Sequence, residues 1–162
     1  MHGRYSVCIT RFPGPNRAMK HLLFSAFTAI TCVSALAAEP ADDNKAVQGT
    51  WKPTVGQLGG EAMPPEALKG VTLKIMGSAY EVVVEGEGPD KGTFTLDAAA
   101  SPKTLTIKSE EGPNKGKTIL AIYEIIGDTM RACYDISGDK RPTEFKSPAN
   151  STVFLVTYQR QK

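Results

Sequence analysis

The chain is 162 residues long, with 19 Lys and Arg against 17 Asp and Glu, and it has room for one domain at most. Its small positive charge is not spread along it. Arg4, Arg11, Arg17 and Lys20 all precede the first acid, and without them 15 cations face 17 acids; the formal charge moves from +2 to −2, which excludes a basic nucleic-acid surface.

Residues 1–21 are basic, Leu22 to Leu36 is apolar or small and uncharged, and Ala35-Leu36-Ala37 precedes Ala38-Glu39. That order is a secretory signal peptide, with cleavage expected after Ala37 and an exported protein, periplasmic or extracellular, as the product. The apolar run is too short for a comfortable transmembrane helix. Met19 opens a more typical leader and is an alternative start, and Ala29-Ile30-Thr31 is a poor context for lipid modification of Cys32. Both histidines, His2 and His21, leave with the leader. The mature chain therefore has no Ser-His-Asp or Cys-His arrangement and no His-ligated metal site, and neither a catalytic role nor a cofactor is expected. Cys133 is the one cysteine left, so an internal disulfide is excluded and the domain has to stand on its core.

Residues 38–47 read as a polar tether. From Gln48 the hydrophobic period is two, the mark of half-buried strands. Trp51 and Val55 lie in the first strand. Val71, Leu73 and Ile75 mark the second, Tyr80, Val82 and Val84 the third, Phe94 and Leu96 the fourth, and Leu105 and Ile107 the fifth. Ile119 to Ile126 is apolar on both faces except at Glu124 and should be the most buried. Met130, Ala132, Tyr134 and Ile136 oppose Arg131, Cys133 and Asp135, and Val153 to Tyr158 completes eight. One helical turn is expected, at Pro64 to Gly70, with proline in its first turn and glycine as its stop.

Two hexapeptides, EGPDKG at 87–92 and EGPNKG at 111–116, each join two strands. Proline at the second turn position, Asp90 or Asn114 at the third, and Gly92 or Gly116 for a positive φ predict two similar hairpin turns. A phosphate cradle would need a helix to follow, and a strand follows both. In an up-and-down sheet these turns share one end with 56–70 and 137–151. Gly77-Ser78, 98–102 and Gly127-Asp128, all short, fall at the other. Long loops on a rigid scaffold are where binding sites usually lie.

Gly49-Thr50-Trp51 on a first strand resembles the G-x-W of lipocalin-like barrels. QGTWK (48–52), the P-x-E-x-L-K-G segment Pro64 to Gly70, EGPNKGKTILAIYEIIGDTMRACY (111–134) and RPTEF (141–145) together resemble a family of small exported domains, abundant in planctomycete bacteria, for which no activity or ligand is established. The resemblance runs from about Val47 to Tyr158. It implies an all-β fold, an eight-stranded up-and-down antiparallel barrel of lipocalin type, with Arg160 as the basic residue that packs on the G-x-W tryptophan.

The candidate site residues are Trp51, Tyr123, Arg131, Cys133, Arg141 and Glu144. Trp51 is expected to plug the closed end as core, with ligand contact as its alternative. Arg131 reads as a surface cation with Met130, Ala132 and Tyr134 inward; were it inward, beside Tyr123 and Glu124, it would suit an anionic head group. Cys133 reads as an ordinary half-buried thiol rather than a reactive one. Arg141 and Glu144 are expected to pair and brace the long connection, with Phe145 docked on the barrel, in preference to a ligand contact. The expected partner is a small apolar or amphipathic molecule held without catalysis at the long-loop rim. The alternative is an envelope-protein interaction module whose barrel is filled by side chains.

Overall fold

A computed structural model describes residues 42–162. The expected leader with its cleavage site, Cys32, the alternative start at Met19 and both histidines lie outside the described residues. Strands β1 (Gly49–Leu58), β3 (Val71–Met76), β4 (Ala79–Val84), β5 (Asp90–Asp97), β6 (Thr104–Glu111), β7 (Thr118–Ile126), β8 (Thr129–Asp135) and β9 (Val153–Arg160) pair antiparallel in sequence order, and β9 returns to β1. This is the expected eight-stranded up-and-down barrel, lipocalin-like in shape. A ninth strand, β2 (Glu61–Ala62), folds back on the end of β1 and takes no part in closure.

Register puts one face of every strand in the lumen, because residues directly opposite each other share a face. Trp51 pairs with Leu73 and Leu73 with Val82; Phe94 pairs with Ile107, Tyr123 with Ala132, and Tyr134 with Phe154. The outward positions carry Lys74, Glu81, Lys108, Glu124 and Arg131, the reverse of a lipid-facing barrel. No helix among the described residues is long and apolar enough to cross a membrane.

One end of the barrel is plugged. Trp51 is fully buried there and its indole N–H donates to the Val47 carbonyl at 2.8 Å. The Arg160 guanidinium lies 4.1 Å from the centre of the indole ring, donates to the Ala46 carbonyl at 2.5 Å and to that of Gln48, and pairs with Asp128 at 3.1 Å. The segment just before β1, expected to be tether, is part of the plug. Helix α1 (Asp43–Ala46) buries Asp43, whose carboxylate accepts from the Tyr123 hydroxyl and from Lys103 Nζ, each at 2.7 Å, and Val47 follows it inward. A four-residue helix has too few internal hydrogen bonds to hold itself; its partners are 60 and 80 residues away in sequence.

The other end carries the long connections, including α2 (Pro65–Lys69), the one helical turn expected. The two hexapeptides do not fold alike. The second is the expected loop: the Gly116 N–H donates to the Ser109 carbonyl at 2.7 Å, and Gly116 has φ +83°. In the first, the turn comes earlier, with the Glu87 N–H on the Val84 carbonyl at 3.0 Å and Gly86 at φ +86°, so Asp90, Lys91 and Gly92 already belong to β5. Gly92 is glycine for a different reason, since a Cβ there would run into the Lys108 carbonyl on β6.

Candidate functional site

The barrel encloses a cavity of about 510 Å³. Its walls are almost wholly apolar, with Leu73, Val82, Leu96, Leu105, Ile107 and Phe154 among them. Of these, all but Leu73 are only partly buried although strands surround them. The surface they keep faces the cavity, so side chains do not fill this lumen. Ala67, Glu87 and Ile136 line the cavity and are exposed, and all three sit at the long-loop end, where the cavity opens under α2.

Four polar residues from four different segments meet on one wall near that mouth. Tyr80 on β4 faces Gly92 on β5, which faces Ser109 on β6. The Tyr80 ring reaches across β5 at Gly92, and its hydroxyl lies 2.7 Å from Ser109 Oγ. The same hydroxyl donates to Asp90 Oδ1 at 2.9 Å, which leaves Ser109 as donor to Tyr80. Asn114, in the second hexapeptide, donates from Nδ2 to Asp90 Oδ2 at 2.5 Å. Asp90 and Asn114 are the fourth residues of the two hexapeptides, so the near-repeats are joined to each other. Burial first, with the neighbouring Asp90 carboxylate adding to it against the Ser109 hydrogen bond, pushes the Tyr80 phenol up to about 12. Tyr80 is therefore a neutral donor at physiological pH.

Tyr123, Tyr134 and Tyr158 also line the cavity, and the Tyr123 hydroxyl is turned to Asp43 in the plug. Burial, and the hydrogen bond to Asp43, raise Tyr123 well above the ordinary tyrosine range. Burial likewise raises both Tyr134 and Tyr158. All stay protonated and add no charge to the wall.

Of the six residues singled out from sequence, Tyr123 lines this cavity and the other five do not. Trp51 lies in the plug. Arg131 points outward, its Nε 3.0 Å from Glu124 Oε1 but off the N–H direction, and its guanidinium 4.2 Å from the centre of the Phe145 ring. Cys133 also faces outward yet is fully buried, because the 136–152 connection lies over it and its thiol meets the Lys146 carbonyl at 3.6 Å. Burial pushes that thiol up, away from the reactive thiolate. Arg141 does not pair with Glu144, which is exposed. Instead its guanidinium donates to the Leu105 carbonyl at 2.7 Å, to Thr106 Oγ1 at 2.8 Å and to the Ala121 carbonyl, clipping the connection across β6 and β7. Guanidinium donors suit backbone oxygens as well as carboxylates.

The residues missed were Tyr80, Asp90, Ser109 and Asn114. Parity was the available signal: Ser109 is in phase with Leu105 and Ile107, and Asp90 with Phe94 and Leu96, so both were polar residues on an inward face. No family model, curated protein or solved structure matches the chain.

Proposed function

We propose that this protein is a non-catalytic carrier that holds one small apolar or amphipathic molecule inside the barrel, entering between the long connections. The observation that carries the proposal is the unfilled lumen: about 510 Å³ bounded by apolar side chains that keep part of their surface uncovered. That volume lies within the range of small-molecule pockets, roughly 300–1,000 Å³. An eight-stranded barrel has an interior that side chains can just fill or that can hold one small ligand, and these side chains leave it open. A side-chain-filled interaction module would lack this space. Export, and membership of the lipocalin-like exported domains that the sequence resembles, belong to the same proposal; the leader-like N-terminus and the motifs from QGTWK to RPTEF support them.

The test is to fill the lumen. Leu96→Trp places an indole into the cavity from a wall position that is only partly buried. Uptake of a neutral naphthylamine fluorophore is expected in the native protein, and its affinity is expected to fall by about tenfold or more in the variant, the worth of roughly 1.4 kcal/mol. Circular dichroism should show the barrel intact. Equal uptake by both proteins would place the binding elsewhere and overturn the proposal.

A further inference from the structure

The lining has a charge asymmetry that bears on what kind of amphiphile fits. Among the described residues, the cavity wall includes two carboxylates, Asp90 and Glu87, and no Lys, Arg or His. Asp90 is 9% exposed and takes part in no ion pair of the described residues. What reaches it is neutral: the Tyr80 hydroxyl and the Asn114 amide. Lys91, the next residue in the chain, pairs instead with Glu81 at 3.4 Å. Lys117 donates to Asn114 Oδ1 at 3.3 Å. A carboxylate has about four lone-pair sites, and two of these are taken. No cation of the described residues stands within ion-pair distance of it, so the wall offers a carboxylate that a cationic head group could meet.

We infer that Asp90 is the head-group anchor of the cavity and that the preferred occupant is an apolar amine, a hydrophobic body carrying an ammonium group, rather than a carboxylic acid. This rests on the carrier reading and sharpens it. The ammonium donates to the two free lone pairs of Asp90 while the apolar body lies along Val82, Leu96, Leu105 and Ile107. Glu87, exposed at the mouth, draws the same charge inward and repels carboxylates. A fatty-acid head would meet two like charges and no cation.

The experiment compares dodecylamine, dodecanol and dodecanoate, each below its micelle concentration, as displacers of the neutral naphthylamine fluorophore. In the wild-type protein dodecylamine is expected to displace at a concentration about tenfold or more below that of dodecanoate, with dodecanol between them. Asp90→Asn is expected to bring amine and acid within about threefold of each other, since that variant keeps size and loses charge. Dodecanoate binding as tightly as dodecylamine in the wild type would overturn the inference and leave the carrier reading standing; that comparison needs no variant to fold. An unchanged amine preference in a folded Asp90→Asn would overturn the assignment to Asp90. If the fluorophore and all three chains fail to bind, the carrier reading falls and the inference with it.

Discussion

Single side chains hold what secondary structure does not. The connection 136–152 has neither helix nor strand, yet it lies fixed on the barrel wall. Asp135 organises its start and its end: Oδ1 accepts from Ser137 Oγ at 2.6 Å, Ser137 N at 3.1 Å and Thr152 Oγ1 at 2.8 Å, and Oδ2 from Lys140 N at 2.9 Å. Burial alone would raise this carboxyl, but the hydrogen bonds from Ser137, Thr152 and Lys140 outweigh it and hold the group below its ordinary value. A group that titrates lower in the folded state than in the unfolded one stabilises the fold above its ordinary value, about 3.9 for Asp, and loses that contribution as pH falls through the folded value. Asp135→Asn removes the charge and half of the acceptor capacity. We expect a loss of about 1–3 kcal/mol near neutral pH by denaturant unfolding, shrinking toward zero as pH falls below about 4. A loss that is constant with pH would contradict the assignment.

At the same scale, sequence and structure part company over direction. Trp51 as plug, with Arg160 upon it, was legible because a G-x-W strand implies both. Asp90 and Asn114 read as turn formers because Pro-Asp-Lys-Gly and Pro-Asn-Lys-Gly are turn chemistry. That each also meets the other depends on β5 and β6 being neighbours, which a local pattern does not reveal. Arg141 was legible as a brace, but its acceptors, carbonyls on β6 and β7, carry no side-chain signature.

Among the elements, the two hexapeptides are the sharpest case. The first is preceded by Glu85-Gly86, so Glu-Gly occurs twice and the chain turns at the earlier one. The second is preceded by Ser109-Glu110 and has no such choice. Gly92 and Gly116, identical in position within the repeat, are consequently glycine for unlike reasons. At Gly116 the space a Cβ would take is open, and substitution meets only the strain of a positive φ, about 1–2 kcal/mol. At Gly92 the obstacle is the backbone of the neighbouring strand, which has to give way, a cost at or above the roughly 1–3 kcal/mol of ordinary overpacking. We expect Gly92→Ala to lower the denaturation midpoint clearly more than Gly116→Ala does; the reverse order would mean that the first hexapeptide is a free turn after all. Helix α1 escaped the sequence for a related reason. DNKA is polar enough to pass for tether, and only Tyr123 and Lys103, far along the chain, make Asp43 a buried anchor.

For the molecule as a whole, the division of its two ends follows from topology. Up-and-down order sends alternate connections to opposite ends, so short turns and the α1, Trp51 and Arg160 plug close one, while α2 and the long connections frame the other. Eight strands fix the bore, and the choice of side chains fixes whether it is filled. Period-two patterning shows which residues face in but not whether their volumes add up to the space available, which is why barrel and rim were readable and the open lumen was not. Val82, Leu96, Leu105 and Ile107 are medium-sized side chains, and they leave part of their own surface open to the cavity.

An open apolar lumen in a carrier should come out of the cell occupied. Native mass spectrometry of the protein, isolated gently from the cells that make it, asks this directly. We expect a species heavier than the chain by one small molecule, of roughly the few hundred daltons that such a pocket encloses, released on denaturation and basic in character. A single species at the mass of the bare chain would contradict the carrier function, however well the barrel is formed.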